Sequence, residues 1–143
     1  SFLFRSGGAK ISPKVTTQLS NFLNEIRNRY ELEGDAIRVD GHTDDVPLTR
    51  RGRFKNNWEL STMRATNVAT LMMEKVGFDP ERIAISGYAD TRPKSPYLDK
   101  KGEPKRGKEL REARKANRRV ELIFTRPLEK ERTRKFFPDP RAG

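Results

Sequence analysis

Three charged positions in the first half of the chain have types and spacing that could do chemistry. They are the adjacent carboxylates Asp44 and Asp45, which follow the single histidine His42, and the arginine Arg64 further along. Acid–base catalysis is the first candidate, and the spacing argues against it, because neighbouring residues of an extended segment point in opposite directions. A metal is the second; one histidine and no cysteine leave a zinc site short of its usual ligands. No cofactor is expected either, since Gly7-Gly8 lacks both the spacing and the lysine of a phosphate loop. Recognition of opposite charges is the third. Arg64 offers a planar fork of donors to a carboxylate, while Asp44 accepts from an ammonium group. Together they fit either the head of an amino acid or a structural ion pair that closes a loop onto a helix.

The elements that must position these residues follow from periodicity. A helix over Trp58 to Val76 sets Leu60, Val68 and Leu71 in one turn-spaced stripe with Arg64 in its middle, where a cation needs a partner. Ile37 and Val39 alternate in a strand that breaks at Gly41 and delivers Asp44 at its carboxyl end. Phe2 to Ser6 reads as a first strand. Ser12 as N-cap and Pro13 open a helix with Val15, Leu19, Phe22, Leu23, Ile26 and Tyr30 on its core-facing stripe, ended by Gly34. Arg82 to Tyr88 reads as a third strand and Arg119 to Phe124 as a fourth, with a short helix over Glu109 to Ala116 before it. Asp45 to Asn56 and the proline-rich, lysine-rich stretch Thr91 to Gly107 read as solvated loops. Strands that alternate instead of running continuously apolar imply one covered face. The expected architecture is therefore a two-layer α/β sandwich, β-α-β-α-β-α-β, with the helices on one face of a four-stranded mixed sheet. Residues 1–126 form the domain and 127–143 a charged tail.

Bulk properties set the partners. A chain of 143 residues with 33% hydrophobic content can bury one core. No run of about 18 apolar residues and no charged-then-apolar leader is present, and strand-like residues at the very start suggest a piece of a longer protein. The absence of cysteine removes disulfides and thiol chemistry. The net charge of +11 points to a polyanionic neighbourhood, and Thr91 to Arg119 holds 12 Lys or Arg against 4 Asp or Glu, a net +8 in one segment. Nucleic acid is the weaker partner for it, because Tyr97 is the only aromatic residue between Arg92 and Arg119 and leaves little stacking surface.

Four motifs in order carry a resemblance: Gly41-His-Thr-Asp-Asp-Val-Pro-Leu48, Asn57-Trp-Glu-Leu-Ser-Thr-Met-Arg-Ala65, Ser86-Gly-Tyr-Ala-Asp90 and Asn117-Arg-Arg-Val120. Over roughly Phe2 to Arg126 the chain resembles the OmpA-like peptidoglycan-binding domain, and within it the periplasmic domains of flagellar stators of the MotB kind and their sodium-driven relatives. The resemblance implies a non-catalytic periplasmic wall anchor that grips the diaminopimelate of the stem peptide, Asp44 on its amine and Arg64 on its carboxylate. Thr43, Asn57, Leu60 and Ser61 match positions that shape or cap the pocket, and Arg118 or Arg119 would add positive potential. It further implies a homodimer, with an upstream membrane segment and an ion-channel partner subunit outside this chain. Outer-membrane proteins, lipoproteins and other wall-anchored motors carry the same kind of domain. An enzyme acting on peptidoglycan would need a general acid and base across the scissile bond, and no such pair can be assembled.

Overall fold

A short parallel-plus-antiparallel sheet forms around one central strand in the computed structural model, which describes residues 3–29, 34–49 and 51–126. The central strand is β1 (Ala36–His42), flanked by β2 (Ile83–Gly87) in parallel and β3 (Arg119–Thr125) in antiparallel, in the order β2-β1-β3. Val39 pairs with Ile85 on one side and Leu122 on the other, so the apolar residues of the three strands share a register. The alternation seen in the sequence is the consequence. Ile37 and Val39 are buried towards the core, while Arg38, Asp40 and His42 lie on the opposite face beside Arg119 and Glu121.

Among the described residues three α-helices accompany the sheet. Helix α1 (Pro13–Arg29) starts where expected, with the Ser12 Oγ accepting from the Val15 N–H at 3.3 Å, and buries Leu19 and Leu23. Phe22 is not part of that stripe; it is 54% exposed, because it falls one position short of the buried pair's face. Helix α2 (Asn57–Leu71) is capped by Asn56, whose side chain accepts from the Glu59 N–H at 3.0 Å. One π-helical turn, Met72–Val76, extends it to Gly77, which takes the left-handed conformation (φ 85°) that closes a helix. Helix α3 (Gly107–Asn117) leads directly into β3. Helix α2 lies on β1 and β2 at a separation only glycine permits: a Cβ on Gly41 would run into the Ser61 carbonyl, and one on Gly87 into the Thr62 side chain. The core joins Phe4, Leu19, Leu23, Ile37, Val39, Ala65, Val68, Met72 and Phe78 into one cluster.

Two expectations need correction. The described sheet has three strands, not four: residues 3–6 are not in it. Phe4 is buried as a core residue, and the Arg5 and Gly8 carbonyls accept from the Arg64 guanidinium, so they are not free to build a ladder. Second, 91–107 is not merely solvated. It folds back as a hairpin in which Leu98 and Pro104 form an antiparallel bridge, and the Asp99 carboxylate accepts from the Lys101 and Glu103 N–H groups. Phe2, Tyr30 and the tail at 127–143 lie outside the described residues. Among the described residues no helix is long and apolar enough to cross a membrane.

Candidate binding site

The expected pair does come from neighbouring elements, but its two members are held by other partners. Arg64, one of the largest fully buried side chains, donates from Nε to the Gly8 carbonyl (2.8 Å), from Nη1 to the His42 carbonyl (2.9 Å) and from Nη2 to the Arg5 carbonyl (3.0 Å). Its guanidinium sits 5.1 Å from the centre of the Phe4 ring. Burial pushes its pKa down to about 10, with Asp44 opposing that shift and Arg118 adding to it. Arg64 therefore staples residues 5–8 to α2 and β1, and Asn67 adds a second tie through its Nδ2 to the Ala9 carbonyl at 2.8 Å.

Asp44 is also buried, at 4% exposure. Its Oδ1 accepts from the Val46 N–H at 3.1 Å, and its Oδ2 accepts from Arg118 Nη1 at 2.9 Å. Asp44 and Arg64 are thus each already held by other partners. Asp45, one residue on, accepts from Arg114 Nε at 2.8 Å. Two arginines four residues apart at the end of α3 consequently hold two adjacent carboxylates at the end of β1. The adjacent aspartates do not diverge as extended neighbours would, because the chain has left the strand by Thr43. Arg118 itself stands at the C-terminal cap of α3.

The remaining expected residues surround this corner. Asn57, in the first turn of α2, donates from Nδ2 to the Val46 carbonyl at 3.3 Å, while its Oδ1 is buried with no hydrogen-bond partner. The Nε of Arg118 is likewise buried and unpartnered. Thr43 donates its N–H to Ala89 and its hydroxyl to the Asp44 carbonyl. Ser61 accepts from the Ala89 N–H at 3.0 Å, and Leu60 is buried beneath. Ala89 holds a left-handed backbone (φ 54°), a strained conformation for a residue with a side chain, fixed by these two contacts.

Arg119 is elsewhere. It lies on the opposite face, donating to Glu121, to the Asn117 carbonyl and to the Arg92 carbonyl. There it helps enclose His42, whose ring stacks on Tyr88 at 5.2 Å. Both ring nitrogens of His42 are buried without a hydrogen-bond partner, Nε2 lying 3.8 Å from Glu121. Burial pushes the His42 pKa below its ordinary value, reinforced by Arg119 and opposed by Glu121. His42 is thus a buried ring held by stacking on Tyr88, with neither nitrogen hydrogen-bonded. Among the described residues no group of three His, Asp or Glu side chains is placed to hold a metal ion. A broad groove elsewhere, between residues 7–11, Phe54 of the preceding loop and the side of α2 at Trp58 and Met63, includes none of the expected site residues.

The sequence reading missed Arg114 and could have found it. Arg114 and Arg118 are four apart in a helix-favouring stretch, so they share one face, and a basic pair ahead of a strand is a natural match for Asp44-Asp45.

Fold and site define a small mixed α/β domain with one buried, charge-lined corner. The chain belongs to the OmpA family, whose model matches residues 3–107. It is 31% identical over 129 residues to Motility protein B of Bacillus subtilis, covering 87% of this chain and 42% of that protein. The chain thus spans under half the length of that relative. The crystal structure of the periplasmic domain of Helicobacter pylori MotB superposes with a TM-score of 0.69 at 27% identity, covering 88% of this chain and 71% of that one. The cell wall anchor of the T6SS from Pseudomonas aeruginosa is 30% identical with a TM-score of 0.65, covering 86% of this chain and 75% of that one.

Proposed function

We propose that the chain is a non-catalytic, periplasmic peptidoglycan-binding domain that anchors a larger assembly, of the flagellar stator kind, to the cell wall. The observation that carries this reading is the corner at Asp44. A buried carboxylate on the loop after β1, an unpartnered acceptor on Asn57 at the start of α2 and an unpartnered donor on Arg118 at the end of α3 make it up. Those groups complement a ligand that carries an ammonium and a carboxylate on one carbon, which is the free end of diaminopimelate in a stem peptide. Thr43, Leu60 and Ser61 hold the corner's shape. Arg64 either contacts the ligand after releasing its carbonyls or holds the floor on which the corner stands.

A single site of this kind binds weakly, and a homodimer on a repeating polymer gains by effective concentration what one site lacks. The stator reading adds an upstream membrane segment and an ion-channel partner subunit. The relative that is a cell wall anchor of a different machine supports a wider reading, a wall anchor of another motor or secretion complex, with the same ligand.

The test is retention on insoluble peptidoglycan sacculi. The intact chain is expected to co-sediment, Asp44→Ala to lose retention, and Arg64→Lys to lose it in proportion to its loss of folded protein. Equal retention of all three at high salt would overturn the reading.

A further inference from the structure

We infer that the groove along α2 is where a second copy of this chain docks, with the two α2 helices lying antiparallel across a two-fold axis near Thr66. The proposed function calls for a homodimer, and the inference rests on it only to that extent; it names the surface, which shares no residue with the Asp44 corner. The groove runs between residues 7–11 and α2, and its volume of about 1190 Å³ exceeds the roughly 300–1,000 Å³ of clefts that enclose small ligands. A macromolecule is the better fit. Trp58 and Met63 stand along the groove, 54% and 40% exposed, and covering these large side chains supplies the apolar part of the association.

Charge identifies that macromolecule as a second copy. At the start of α2 the groove is edged by Arg53 and Glu59, and beyond its end by Glu74 and Lys75. All four are exposed, and among the described residues none of them is in an ion pair. From Glu59 to Lys75 is roughly 24 Å at the helical rise of 1.5 Å per residue, and the midpoint falls next to Thr66. Turning a copy end over end about that point sets Glu59 against the partner's Lys75 and Arg53 against the partner's Glu74. A two-fold interface repeats each contact, so every one of these charges meets its opposite. A parallel pairing would set like charge on like. Between the ends, Thr62, Thr66 and Thr70 line the groove with short side chains, which lets two helices crossing at a shallow angle of about 20° approach closely. Exposed ion pairs bind weakly, so here they fix the orientation while Trp58 and Met63 supply the affinity.

Sedimentation velocity over a range of concentrations measures the dimer, with circular dichroism checking that each variant is folded. The intact chain is expected to dimerise, and Glu59→Lys and Lys75→Glu each to raise the dimer dissociation constant by about tenfold or more, since either change sets like charges together at two symmetry-related places. The double variant Glu59→Lys/Lys75→Glu should recover most of that loss. Recovery cannot come from monomer stability, because both changes oppose the helix dipole. Met63→Ser should weaken the intact and the doubly swapped dimer alike. Trp58 is the chain's only tryptophan and reports what covers the groove, so its emission should move to shorter wavelength as concentration rises. An intact chain that stays monomeric at high concentration, single variants that dimerise unchanged, or a double variant no better than the singles overturns the inference. So does Trp58 emission that ignores concentration and changes when residues 127–143 are removed, which assigns the groove to the tail. In each of these cases retention of the intact chain on sacculi leaves the proposed function standing. No retention by an intact chain whose charge swap restores the dimer overturns the proposed function alone.

Discussion

At the scale of single residues, burial decides what each charge can do. Arg64 is a cation in the core that is held by hydrogen bonds to three backbone carbonyls, with Asp44 stabilising its charge from further away. Lysine cannot reproduce that fork, so Arg64→Lys is expected to lower stability by about 3 kcal/mol, read as a lower urea midpoint at unchanged slope. His42 gives a cleaner experiment because it is the chain's only histidine. Its folded pKa is depressed, so the unfolded chain takes up a proton first as pH falls. The sign follows: the stability His42 contributes is complete above its unfolded value near 6.5 and is lost as pH falls from there through the lower folded value. Urea unfolding between pH 7.5 and 5 should therefore show a decline that His42→Phe removes, and the single imidazole signal should titrate below 6.5. A folded pKa at or above 6.5 would contradict the enclosed, unpartnered ring. Arg64's burial was legible from the helical stripe because spacing alone places it among Leu60, Val68 and Leu71. The choice of Arg118 over Arg119 was not. Two adjacent arginines at a helix-to-strand junction go to opposite faces, and which goes where depends on where α3 ends.

At the scale of elements, the fold turns on how closely α2 approaches the sheet. Gly41 and Gly87 occupy neighbouring registered positions of β1 and β2 under α2, and neither leaves room for a methyl group. Gly41→Ala is expected to cost about 3 kcal/mol, measured by urea unfolding, since the obstacle is helix backbone and cannot rotate away. The Asp44 loop springs from the end of β1, so the same substitution should disturb the binding corner in any molecules that remain folded. The hairpin at 91–107 depends on a different fastening. Asn117 accepts the Ser95 N–H at 2.7 Å and donates to the Ser95 carbonyl at 2.8 Å. Asn117→Ala should raise hydrogen exchange at the Lys105 and Glu103 amides while leaving β1 protected; uniform loss of protection would mean that the clasp supports the whole fold. This clasp explains why the hairpin read as a loop. Its composition is rich in proline, glycine and lysine, and what fastens its first arm to the rest of the fold includes a side chain 22 residues away. The missing first strand has the same cause. Phe2 to Phe4 carries an ordinary strand signal, but the carbonyls after it are taken by an arginine 56 and 59 residues further on. Local pattern located β1, α1, α2 and β3 because those elements bury their own apolar faces; it failed where a distant polar side chain decides.

At the scale of the molecule, charge and site do separate jobs. The net +8 between Thr91 and Arg119 lies on the hairpin and α3, the elements that end at Arg118, so an electropositive region adjoins the corner without being part of it. Exposed charges of this kind act over roughly a Debye length, about 8 Å at physiological ionic strength, and raise the rate at which an anionic polymer is encountered. The Asp44–Arg118 pair is enclosed and much less screened. Association and dissociation should therefore respond to different residues. Replacing the exposed Lys94, Lys100 and Lys101 by Glu is expected to slow association with soluble peptidoglycan fragments at low salt, and the difference from the intact chain should shrink as salt rises. Dissociation should be unchanged. Asp44→Ala should do the reverse, speeding dissociation at every salt concentration with little effect on association. Surface-immobilised fragments and a salt series read both rates in one experiment. A charge-reversed hairpin that dissociates faster would mean that these lysines touch the polymer, and the division between long-range attraction and local recognition would then fail.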